Sequence, residues 1–152
     1  MKERRLLLDQ IDRKIIKFNN LAELTIPNSG WIYAIRKALN MSLRQIGSRM
    51  NITPQSVREI EEREKNGTVS LKVLKRVGEA LNMEFVYGFI PPNNTLAKMI
   101  EDRANQLAEE IVYRTSMTMS LENQKTSDKR IKKAINEKAE EIKTLLPRYL
   151  WD

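Results

Sequence analysis

At 152 residues, 41% apolar but only 6% aromatic, with five glycines and five prolines, the chain can bury a core and is composed like a helical protein rather than a sandwich or barrel. It has no cysteine and no histidine, which excludes disulfides and removes both the commonest metal ligand and the usual general base. The formal net charge of +7 permits an anionic partner without naming one.

No apolar run approaches the ~20 residues a membrane span needs. The start, MKERRLLLDQID, lacks the long apolar stretch and small-residue cleavage site of a signal peptide. A soluble, cytoplasmic protein without membrane contact is expected. The charge is uneven: residues 31–90 carry ten Lys/Arg against six acids, residues 91–124 three against five, and residues 125–152 eight against five. The basic excess therefore lies in the first half and at both ends.

In chain order, Leu6, Leu7, Leu8, Ile11, Ile15, Ile16 and Phe18 recur at helical spacing, so residues 3–19 are expected as an amphipathic helix within an N-terminal element, 1–24. Residues 25–30, TIPNSG, have the chemistry of a loop. Trp31 to Leu39 reads as a helix with Trp31, Ile35, Ala38 and Leu39 inward. Ser42 is placed to cap a helix reaching Met50, and Thr53 to cap another reaching Glu64, closed by Asn66-Gly67. Ser70 caps a further helix to Leu81, with Leu71, Leu74, Val77, Ala80 and Leu81 on one stripe. Residues 84–90, EFVYGFI, are β-prone and end at Pro91-Pro92, a natural boundary. Beyond it a long helix from Thr95, a polar stretch over 115–128 and a basic helix from Asp128 to Leu146 make a C-terminal helical region, 95–152.

Residues 41–64, MSLRQIGSRMNITPQSVREIEERE, hold two short apolar-periodic runs separated by three residues. Leu43, Ile46, Met50, Ile52, Val57 and Ile60 supply facing positions, and Gly47 is small where the helices must approach. Pro54 at the first turn is harmless because its N–H would be unpaired anyway. With Val57 and Ile60 inward, the second helix presents Gln55, Arg58, Glu59 and Glu62 outward. Planar polar side chains on the N-terminal half of a short helix suit base edges in a major groove. The bland counterpart is a helical bundle on which the same residues are a solvated face.

The block from Trp31 to Leu81 resembles the helix-turn-helix of the lambda-repressor, Cro and XRE family, in LNMSLRQIG (39–47), TPQSVREIE (53–61) and the helix from Leu71. The resemblance implies an all-α, lambda-repressor-like DNA-binding domain at 31–90. By position it implies Gln55 and Glu59 as base readers, with Pro54 at a third such place; Arg58, outward on the same helix, is a fourth base-reading candidate. Gln suits adenine N6/N7, and Glu accepts from cytosine N4. Arg36 and Glu61 match a pair that joins the first helix to the recognition helix. Leu43 stands where the family places a phosphate-contacting Gln, and Glu61, Glu62 and Glu64 make the end of the recognition helix acidic. Phosphate contact is therefore expected from Arg44, Arg49, Ser56, Arg63 and Lys65.

The whole layout, including SMTMSLENQ (116–124) and LLPRYLWD (145–152), resembles the group called mobile mystery protein A, whose members are encoded beside a Fic-domain protein. That implies an antitoxin-like, autoregulatory DNA binder. Thr118, Glu122 and Asn123 fit the pattern Ser/Thr-x-x-x-Glu-Gly/Asn, which resembles the inhibitory helix motif of Fic antitoxins. In that family the Glu pairs with an Arg of the Fic active site and obstructs the γ-phosphate of ATP. The sequence reading is thus a homodimeric regulator binding double-stranded DNA, with a Fic-domain protein as a possible partner and no cofactor, metal or catalytic residue. Its rival is a protein-interaction adaptor that inhibits a Fic AMP-transferase and binds little DNA.

Overall fold

The computed structural model describes the backbone of residues 1–121 and 128–152, and side chains at 1–116 and 128–152. Among the described residues every regular element is helical: α1 Lys2–Ile15, a 3-10 turn Ile16–Leu21, α2 Trp31–Ala38, α3 Leu43–Met50, α4 Pro54–Asn66, α5 Leu71–Ala80, α6 Leu96–Leu121, α7 Asp128–Leu145 and a last 3-10 turn Arg148–Trp151. No described helix is long and apolar enough to cross a membrane. The chain forms two compact units, residues 23–87 and the discontinuous pair 1–22 with 88–152.

In the unit 23–87, short helices begin and end where local chemistry dictates. The Ser42 hydroxyl accepts from the Gln45 N–H while the Gln45 side chain accepts from the Ser42 N–H, a reciprocal cap on α3. Asn51 ends α3 in the left-handed region at φ 61°, and the Ile52 N–H reaches back to the Gly47 carbonyl at 2.9 Å. Thr53 and Ser70 accept from Ser56 and Val73 N–H groups to start α4 and α5, and Gly67 closes α4 at φ 75°. The core is Ile32, Ile46, Met50, Val57, Ile60, Val77 and Leu81. A Cβ on Gly47 would sit 2.7 Å from the Ile52 carbonyl oxygen, so the turn between α3 and α4 admits no side chain there.

Two expectations of facing and one of local structure change. On α2 it is Ile32 and Arg36 that are buried, while Trp31 and Leu39 are exposed. Leu71 is likewise exposed at the start of α5. Residues 83–90, β-prone by composition, run without helix, turn, bend or strand ladder.

In the other unit, α6 and α7 pack through small residues, with Ala104, Ala108, Ala139, Ile142 and Leu150 buried and Ile100, Leu107, Ile111 and Ile135 around them. Alanines at a helix contact let the axes approach closely. Two long-range polar joints lock this unit. Asp12 of α1 is buried, and its carboxylate accepts from the Leu96 N–H at 2.7 Å and the Ala97 N–H at 3.1 Å, capping α6 from 84 residues away. Arg103 donates to the Leu150 carbonyl at 2.6 Å and to the Asp152 carbonyl at 3.0 Å. The apolar side of α1 shifts accordingly: Leu8, Ile11, Ile15 and Phe18 are shielded, whereas Leu6, Leu7 and Ile16 are exposed. At the C-terminus it is Leu150 that is buried, and Trp151 is 54% exposed.

Candidate nucleic-acid interface

The candidate site is the outer face of α4, and its orientation follows from what the inner face holds. Val57, Ile60, Glu61 and Glu64 fall at helical spacing toward the core and toward α2. The Arg36 Nε–H donates to Glu61 Oε1 at 2.5 Å and its second nitrogen to Oε2 at 3.2 Å, a two-point pair with side chains 10% and 8% exposed. A third bond from Arg36 reaches the Met41 carbonyl at 3.2 Å. The bonded Glu61 carboxylate raises the Arg36 pKa above its ordinary value, against burial, which lowers it. The cation is therefore retained at every working pH.

Glu64 makes a second joint that sequence reasoning missed. Its carboxylate accepts from the Trp31 N–H at 2.9 Å and the Ile32 N–H at 2.7 Å, capping α2 from the far end of α4. Gly30 makes room for it: its φ is +88°, and a Cβ there would lie 2.7 Å from Glu64 Oε1. The signal was present as a lone glycine before a helix that has no side-chain cap of its own, but its partner is 34 residues away. Two of the three acids thought to make the end of α4 acidic are thus engaged with α2. On the exposed surface of α4, Arg58, Arg63 and Lys65 outnumber Glu59 and Glu62.

Pro54, Gln55, Arg58 and Glu59 are all exposed. Gln55, Arg58 and Glu59 occupy positions spaced three and four apart, so they share one face of the helix. Arg63 lies 4.0 Å from Glu59, an i,i+4 pair with both side chains more than half exposed. Such a pair contributes roughly 0.3–0.5 kcal/mol at most and leaves both groups available to a stronger partner. The Ser56 hydroxyl lies 2.9 Å from that of Thr53. Arg44 is exposed, and Arg49, also exposed, donates to the Ala80 carbonyl at the end of α5, 3.1 Å away. A cleft beside α4 gathers Arg58 and Lys65 with Tyr33 and Lys37 of α2, and the Lys37 ammonium sits 5.8 Å from the Tyr33 ring. Lys37 was not singled out by sequence; its position four residues after Tyr33 on the open side of α2 is the signal that marks it.

Thr118, Glu122 and Asn123 lie outside the described residues and side chains. Among the described residues no cluster of acidic side chains is arranged to hold a metal ion.

Comparison with known proteins gives one family match, to the helix-turn-helix family, over residues 32–87. It reaches neither the N-terminal helix nor residues 116–124 and 145–152, and gives no support to the wider resemblance to mobile mystery protein A. No curated protein and no solved structure gives a significant match. Residues 32–87 form a lambda-repressor-like helix-turn-helix domain of the Cro/C1/XRE type, a DNA-binding regulatory domain.

Proposed function

We propose that the chain is a sequence-specific transcriptional regulator that binds double-stranded DNA as a two-fold pair. The observation that carries this reading is the division of α4. Its inner face is fixed by the Arg36–Glu61 pair and the Glu64 cap, while Pro54, Gln55, Arg58 and Glu59 are left on the outside. A rigidly mounted helix with an open polar face is what major-groove reading requires. In this reading Gln55 addresses an adenine edge, Glu59 a cytosine amine, and Pro54 and Arg58 flank them. Arg44, Arg49, Ser56, Arg63 and Lys65 contact phosphates, with Lys37 as an addition from the cleft.

The antitoxin-like, autoregulatory role and the pairing with a Fic-domain protein rest on the resemblance to mobile mystery protein A and on Thr118, Glu122 and Asn123. The family match supports the DNA-binding part alone. In the adaptor reading, the C-terminal region is the working surface and the helix-turn-helix is idle.

Selection of bound fragments from a random duplex pool separates the two. The regulator reading expects a palindromic consensus and affinity that falls steeply with salt. Recovery of no consensus, with stoichiometric binding to a protein partner, would support the adaptor.

A further inference from the structure

The unit made of 1–22 and 88–152 holds a cavity of about 430 Å³ that the DNA-binding reading leaves without a role. Every residue lining it belongs to this one unit. It opens where the first turns of α1, the first turns of α6 and the end of α7 diverge, and the small Ala97 and Thr144 leave the gap unfilled. The floor is apolar, from Leu8 of α1, Ile100 of α6, and Leu145 and Leu146 at the end of α7. Leu145 is 51% exposed. Apolar surface in a concave setting with a few polar groups at its edge is the usual make-up of a small-molecule site.

The edge is cationic, and its cations are engaged to different degrees. Lys98 lies 3.2 Å from Glu101 and 3.3 Å from Asp102, and Lys143 lies 2.6 Å from Glu140. The two arginines of α1 are freer. Arg4 makes one long bond, 3.5 Å, to the Leu146 carbonyl. Among the described residues the Arg5 side chain has no hydrogen-bond or ion-pair partner. The start of α6 adds no open donor, because Asp12 takes the Leu96 and Ala97 N–H groups and Thr95 takes that of Lys98. An anion entering the cavity is therefore met by guanidinium groups, not by backbone.

We infer that this cavity binds a small organic anion with an apolar body, a carboxylate of medium-chain fatty-acid size. Volume sets the length. The cavity equals the space of about fourteen waters at ~30 Å³ each, which accommodates an acid of roughly eight to ten carbons. Charge sets the head group. A planar carboxylate matches the donor fork of a guanidinium, and Arg4 and Arg5 present two such forks to one cavity. A cationic head would meet four like charges, against which Glu101, the acid among the lining residues, is already held by Lys98. A bare phosphate would leave the floor uncovered. Bound in this place, the acid touches α1, α6 and α7 together and stabilises the unit that they form.

The test is titration calorimetry of the full chain with octanoate, octanol and octyltrimethylammonium at one salt concentration. Octanoate is expected to bind once per chain with a Kd on the order of 0.1 mM, and the two other probes at least tenfold more weakly. Arg4→Gln with Arg5→Gln, both at exposed positions, is expected to weaken octanoate binding at least tenfold with unchanged circular dichroism. Ala97→Phe, which fills the cavity and keeps every charge, is expected to do the same. Octanol binding as tightly as octanoate, several octanoates per chain, or undiminished binding to either variant overturns the inference. Random duplex titrated into the same variants separates this site from the DNA interface. A double variant that loses DNA affinity but still binds octanoate would assign the arginines to phosphate and also overturn it.

Discussion

The unit 23–87 and the unit made from 1–22 and 88–152 use the same elements, helices and buried aliphatic side chains, but they are joined differently. In the first, four short helices are each started by a side chain or cap that can be named, and two carboxylates of α4 tie it to α2. The joints fix α4 in rotation and tilt. In the second, two long helices meet through Ala104, Ala108 and Ala139, and the polar locks connect residues tens of positions apart, Asp12 to α6 and Arg103 to the C-terminal turn. The first unit is built for orientation of one helix, the second for close contact along two. That difference teaches how orientation is fixed: a helix whose outer face carries Gln55 gains an angular reference from a buried two-point ion pair, which the proposed base reading by Gln55 needs.

If this contrast is right, damage to the two kinds of joint differs in size. Glu61→Ala leaves the Arg36 guanidinium buried without its partner, and loss of one member of a buried pair costs about 3–5 kcal/mol. We expect that loss in urea denaturation of the full chain. A change under about 1 kcal/mol would mean that the core alone orients α4. Asp12→Ala removes a cap from α6 and is expected to cost about 1–2 kcal/mol. Asp12→Asn keeps an acceptor and should restore part of it. Should Asp12→Ala cost as much as Glu61→Ala, the two units are held by equivalent joints and the contrast fails.

The same contrast explains what could be read from residues alone. The caps at Ser42, Thr53 and Ser70, Pro54 in the first turn, the close approach at Gly47 and the left-handed Gly67 were legible because cause and effect lie within a few positions. The facing of α2 was not. Along an eight-residue helix and its C-cap the apolar Trp31 and Leu39 outweigh a charged residue on any hydrophobic count, yet Arg36 turns inward because Glu61 waits there, and Ile32, one turn earlier, goes with it. The facing of α1 was obscured for the same reason: Asp12 is drawn in to cap α6, which leaves Leu6 and Leu7 outside. Glu64 read as surface acid because its partners, two backbone N–H groups, carry no side-chain signal. Residues 84–90 advertise a strand that has no ladder among the described residues.

The most direct measurement of the central claim compares two substitutions on one helix against an operator and against scrambled duplex, across a salt series. Gln55→Ala is expected to cost ~1–3 kcal/mol on the operator alone, to relax preference at one base pair, and to leave the salt slope unchanged. Arg63→Ala is expected to weaken both duplexes alike and to reduce the salt slope by about 0.9 for each phosphate that is no longer neutralised. Equal losses on operator and scrambled DNA for both substitutions would contradict the account, leaving the outer face of α4 as a solvated surface.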